Sequence, residues 1–145
     1  VGYEVSLWRR MPGQSFEDLI EDAGEDETGD DPGIVAAAEK VRVVAEGLFN
    51  EPETFSNDSG FEVIDRDTGL QLFYAWDGVG ISVPYSDSGD PAQRIGLVYA
   101  LTRMVEAETG LEGWDQQIDQ PTAAVTDLDL PVGAYRSAVR NLPTP

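Results

Sequence analysis

Hydrophobic and polar positions alternate over residues 3–9. Tyr3, Val5 and Leu7 fall on one side and Glu4, Ser6 and Trp8 on the other, the period of two that a half-buried strand requires. From residue 12 the composition changes. Between there and residue 31 a short helix begun by Ser15 and anchored by Phe16, Leu19 and Ile20 gives way to an acidic loop around Gly24 and Gly29. Asp31-Pro32 then reads as a helix start, with Asp as N-cap and Pro at the first helical position, where its missing N–H costs nothing. Ile34, Ala37, Ala38, Val41, Val44, Ala45 and Leu48 follow at spacings of three and four, so the helix runs to about residue 49 with one apolar face.

Residues 50–60 are polar and read as a connecting loop. Three strands come next, at 61–65, 70–76 and 80–86, joined by Asp67-Thr68-Gly69 and Asp77-Gly78 as hairpin turns. Leu70, Leu72, Tyr74 and Trp76 share a face in the second, and Ile81, Val83 and Tyr85 in the third. Asp90-Pro91 repeats the helix-start device for a second helix ending near Gly110. A short edge strand within residues 111–117, an irregular stretch over 120–131, a last amphipathic turn or two over 133–141 and a loose tail from 142 complete the pattern. Strand, helix, three strands, helix, strand and a short C-terminal helix predict one α+β domain over residues 1–145. Its sheet is a single, mainly antiparallel layer with the two main helices on one face.

Composition narrows the chemistry. The 145 residues include 28 acids against 9 bases, for a formal charge of −19, and no His or Cys. That removes the Ser-His-Asp triad, the Cys nucleophile, the usual zinc sites and every disulfide, and leaves carboxylates as the main reactive groups. Lys40 is the only lysine and eight arginines are scattered from Arg9 to Arg140, so direct binding to nucleic acid or to an anionic membrane is not expected. The longest apolar stretch, residues 95–105, is interrupted by Thr102 and Arg103 and is too short to span a bilayer. The opening residues lack the basic and apolar regions of a secretion signal, which predicts a cytoplasmic protein.

Within the charge, one stretch stands apart. Residues 17–31 hold Glu17, Asp18, Glu21, Asp22, Glu25, Asp26, Glu27, Asp30 and Asp31 with no base among them. Glu25, Asp26, Glu27, Asp30 and Asp31, together with Trp8, form the candidate surface for a basic protein partner, since such a tract steers association and pairs with Arg and Lys. The opposing account is a solvated loop whose like charges merely repel. Asp65-Arg66-Asp67-Thr68-Gly69 opens like a calcium loop but lacks the distal ligands, so a hairpin turn explains it better. No catalytic, cofactor or metal residue is predicted. Hydrolysis by two facing carboxylates would need a separation that sequence does not supply. Trp8, Trp76 and Trp114 come from segments expected to neighbour one another. Trp8, with Phe73, belongs on the open sheet face if Tyr3, Val5 and Leu7 face the helices; the competing account is a second small core.

Two segments resemble a known group. Gly2-Tyr3-Glu4-Val5-Ser6-Leu7-Trp8-Arg9 is similar to the start of a loose group of small uncharacterised bacterial proteins that open Ser-Tyr-Asp/Glu-Leu-x-Phe/Leu-Trp. Gly110-Leu111-Glu112-Gly113-Trp114-Asp115-Gln116-Gln117 is similar to their Gly-Leu-x-x-Tyr-Asp-Pro-Gln segment, with Trp114 for Tyr and Gln116 for Pro. In general character such acidic α+β proteins resemble the immunity proteins of bacterial toxin systems. The reading that follows is a non-catalytic acidic protein that inhibits a basic protein partner. The alternative is a stand-alone structural or housekeeping domain whose acidity serves solubility in a salty cytoplasm.

Overall fold

The computed structural model describes residues 2–11, 13–15, 17–18 and 29–142. Its elements are β1 (Gly2–Trp8), α1 (Pro32–Leu48), β2 (Pro52–Asn57), β3 (Gly60–Asp65), β4 (Gln71–Ala75), β5 (Gly78–Pro84), α2 (Pro91–Thr109), β6 (Glu112–Asp115), β7 (Gln120–Pro121), a 3-10 turn at Thr122–Ala124, and α3 (Asp129–Arg140). The strands form one antiparallel sheet in the order β2-β3-β4-β5-β1-β6-β7, the expected α+β architecture.

The helix starts are built as the Asp-Pro pairs require. Asp31 accepts the N–H groups of Gly33 at 2.8 Å and Ile34 at 3.1 Å, and Asp90 accepts that of Ala92 at 3.0 Å. Gly110 ends α2 in the left-handed region, its N–H donating to Glu106 O at 2.9 Å. Ser15 Oγ accepts the Asp18 N–H at 3.1 Å, as an N-cap would, while the rest of the expected first helix and the loop at 24–28 lie outside the described residues.

Two strands, β2 and the two-residue β7, were not expected. Residues 52–57 pair with β3 from Pro52↔Asp65 to Asn57↔Gly60, making a four-stranded meander where the polar pattern implies a loop. β2 is a terminal strand with little of either side buried, so it has no apolar alternation to show. Its hairpin depends on Gly60, whose φ of +145° few other residues adopt; a β-carbon there would stand 2.1 Å from Tyr74 O. The stretch beyond β6 is also more ordered than expected, since β7, the 3-10 turn and an α3 that begins at Asp129 occupy it.

Alternation places Tyr3, Val5, Leu7, Val63, Leu72, Tyr74, Val79, Ile81 and Val83 on the helix side of the sheet, all buried. α2 buries Ile95, Val98, Tyr99, Leu101, Thr102, Val105 and Thr109, whereas α1 buries Ile34, Ala37, Val41 and Ala45. α2 is thus the central helix, with α1 and α3 packed against it. No described helix is long and apolar enough to cross a membrane.

Candidate functional site

α1, α2 and α3 occupy one face of the sheet, and none of them covers the other, the open face. Along the middle of that open face the register aligns Phe55 of β2, Glu62 of β3, Phe73 of β4, Gly80 of β5, Ser6 of β1, Trp114 of β6 and Pro121 of β7. Phe55 is 43% exposed and Phe73 54%, and both stand opposite Glu62. Their α-carbons are two strand spacings apart, about 10 Å. A groove of about 120 Å³ runs between them, lined also by Asn57 and Ser59. Glu62 lines the groove too, and its Oε2 accepts from Gln71 Nε2 at 2.7 Å. Past Phe73 the absent side chain of Gly80 leaves a second depression of about 260 Å³, bordered by Glu4, Ser6, Gln71 and Ser82.

The rings and the carboxylate suit one kind of occupant. A Lys or Arg stem is apolar along its length and cationic at its tip. It fits between two rings with its head at a carboxylate, gaining hydrophobic, cation–π and ionic contacts together. An acidic side chain would be repelled. The protein's own bases do not fill this role, because most are committed elsewhere. Arg9 pairs with Asp31, Arg10 with Glu112, Lys40 with Glu108, Arg42 with Glu39 and Glu46, Arg66 with Glu53, and Arg103 with Glu106. Arg94 donates to the carbonyls of Thr68 and Ser88. Arg136 and Arg140 sit on α3, away from the open face.

The residues proposed from sequence are dispersed. Glu25, Asp26 and Glu27 lie outside the described residues. Asp30 is exposed. Asp31 is not a free acid, since besides capping α1 it accepts Arg9 Nε and one Arg9 terminal nitrogen, each at 2.9 Å, while the same nitrogen reaches Thr109 O at 2.7 Å. Hydrogen bonding from Arg9 is the main reason its carboxyl is held below the usual range. This junction ties the end of β1 to the start of α1 and the end of α2. Trp8 lies half-buried on the open face, 3.7 Å from where a β-carbon on Gly78 would stand, whereas Asp31 caps a helix on the opposite face. Trp114 shares the open face with Trp8, but Trp76 does not. Trp76 packs edge-on against buried Tyr74 with 6.3 Å between ring centroids and donates to Asp58 O at 2.9 Å.

Among the described residues two carboxylates are buried, and each is enclosed by protein donors. Asp65 accepts the N–H groups of Glu51 and Asp67 on one oxygen, at 3.0 and 3.1 Å, and the Thr68 hydroxyl on the other at 3.1 Å. That is the hairpin turn the sequence favoured over a calcium loop, completed by Gly69 at φ +78°. Asp115 is fully buried. Its Oδ2 accepts the hydroxyls of Tyr3, at 2.5 Å, and of Tyr99, and its Oδ1 accepts the Gln117 N–H at 3.1 Å. Burial first, and the adjacent carboxylate second, push both tyrosines far above the ordinary phenol range. β3 and β6 are four strand spacings apart, roughly 19 Å, so these two acids do not form the facing pair that glycoside hydrolysis uses.

The Phe55–Glu62–Phe73 row was only partly visible in the sequence. Alternation assigns Phe73 to the open face, but Phe55 sits in the strand read as a loop. No family model, curated protein or solved structure matches the chain.

Proposed function

We propose that the protein is a non-catalytic binding module that docks a basic protein partner on its open sheet face, as an immunity protein blocks a toxin. The observation that carries this reading is the row of two exposed phenylalanines flanking Glu62 on the sheet face that α1, α2 and α3 leave free, in a chain whose bases are largely committed to its own acids. Aromatic anchors inside a polar surround are the usual source of binding energy at interfaces, and surplus negative charge raises the rate of encounter with a cationic partner. The acidic tract of residues 17–31 extends the same attraction.

Immobilised wild-type protein, Phe73→Ser and Glu62→Gln are exposed to native lysate at low and moderate salt. A basic protein is expected on the wild-type column at both salts, with much less on Phe73→Ser and a more salt-sensitive catch on Glu62→Gln. If no basic protein is retained at either salt, or if all three columns retain it equally, the reading fails.

A further inference from the structure

We propose that β2 is the docking edge, where an extended basic segment of the partner pairs with the sheet as an eighth strand; this rests on the basic-partner reading above and specifies its geometry. The sheet has two ends. β7 contributes two residues before turning into the 3-10 segment, too few to template a strand, whereas β2 is six residues long and terminal. Hydrogen-bond parity shows which of its backbone groups are available. Arg66 N–H donates to Glu51 O at 2.9 Å, and continuing that register aims the groups of residues 53, 55 and 57 at β3. The N–H and C=O groups of Thr54 and Ser56 therefore point away from the sheet, where no backbone group of the described residues meets them. Unpaired groups of this kind are what strand addition uses. Pro52 supplies only a carbonyl and so limits added pairing to the residues after it.

Charge selects the occupant. Among the described residues Glu51, Asp58 and Glu62 flank the edge without a basic partner, Arg66 is taken up by Glu53 of β2 itself, and the neighbouring Arg42 is shared between Glu39 and Glu46. A second copy of this chain would set these acids against themselves, whereas a strand carrying Lys or Arg would be drawn in. On the open face its side chain next to Phe55 would lie one strand spacing, about 4.8 Å, from that ring.

The probe is a synthetic ten-residue peptide alternating lysine and valine, added to the isotope-labelled full chain at about 50 and about 300 mM salt. At saturation the Thr54 and Ser56 amides should exchange at least about tenfold more slowly, while the Phe55 amide, already bonded to β3, is unchanged. Ser56→Pro removes an outward N–H and no ladder bond, so it should fold with an unaltered unfolding midpoint yet bind the peptide at least about tenfold more weakly. Should Ser56→Pro prove unstable, Ser56 N-methylated by semisynthesis makes the same test. Peptide binding with protection elsewhere, or binding indifferent to Ser56→Pro, overturns the edge while leaving the basic-partner reading standing. Absence of peptide binding at both salts also overturns it, and the column experiment decides separately whether the wider reading falls too. Slow Thr54 and Ser56 exchange without peptide, with a doubled sedimentation mass, would identify self-pairing and refute the proposal.

Discussion

Replacing Tyr99 with Phe removes one hydroxyl from a site with no access to water and leaves the ring in place beneath the Arg103 guanidinium, which lies 5.5 Å from its centroid. The carboxylate that loses this donor, Asp115, is fully buried, and Tyr99 is 3% exposed. A hydrogen bond to a charged group is worth about 1.5–3 kcal/mol. Because Tyr3 and the Gln117 N–H still serve Asp115, the cost should fall near about 2 kcal/mol, or roughly 4–8 °C in Tm for a domain of this length. Adding Tyr3→Phe strips the last hydroxyl donor from Oδ2, so the double variant should lose about 5 kcal/mol or more, beyond the sum of the singles. Urea unfolding followed by tryptophan fluorescence at neutral pH measures all three. A Tyr99→Phe cost under about 0.5 kcal/mol, or additivity within about 0.3 kcal/mol, would show that the triad is a contact of convenience.

Other outcomes follow from the same geometry. Tyr3, Tyr99 and Tyr74 are held neutral in the fold above the ordinary value of 10.0, in each case chiefly by burial, with Tyr74 pushed up to about 12. Their stabilisation is complete below pH 10 and is lost as pH rises, by up to about 4 kcal/mol per pH unit for three groups; ionisation of these three should therefore coincide with loss of circular dichroism, and their ionisation in an intact fold near pH 10 would contradict this. Asp31, held low by Arg9, stabilises above the normal carboxylate range and ceases to do so as pH falls through its depressed value. Asp31→Ala, which loses cap and ion pair, should cost about 2–3 kcal/mol against about 1 for Asp31→Asn, which keeps an acceptor for the cap; equal costs in urea titrations would dissolve the distinction. Gly60→Ala should destabilise by at least about 3 kcal/mol, and a near-neutral unfolding midpoint would refute the β2–β3 turn. Unfolding free energy should rise with salt to roughly 0.3 M and then level off as screening saturates; a climb continuing into molar salt would favour acidity as adaptation to a salty interior.

Local chemistry was the readable part of this sequence. Asp-Pro pairs announce both long helices because cap and first turn are set within a few residues, and the faces of β1, β4 and β5 follow from alternation against a single core. β2 escaped because a terminal strand has no second neighbour and little apolar demand, so Pro52–Asn57 carries turn-like composition. The Asp115 cluster escaped for a different reason. Tyr3 and Asp115 lie 112 residues apart, and only the β1–β6 pairing brings them together. Trp76 keeps the face that alternation gives it, beside Tyr74, but the bond from its indole N–H to Asp58 O in the β2–β3 turn depends on a hairpin the pattern did not show. Asp31 was correctly placed as a cap, but its second commitment, to Arg9, could not be seen from either residue alone.

The position of β1 affects how the molecule comes together in time. It lies between β5 and β6, so both of its hydrogen-bonding sides are supplied by chain synthesised much later, at residues 78–84 and 112–115. The β2–β5 meander can close from near neighbours, but β1, the first of the seven strands, waits for the fifth and the sixth. Until then Tyr3, Val5 and Leu7 have no lasting cover and both edges of the strand are sticky. The domain should therefore fold slowly for its size, with β1 insertion as the late event.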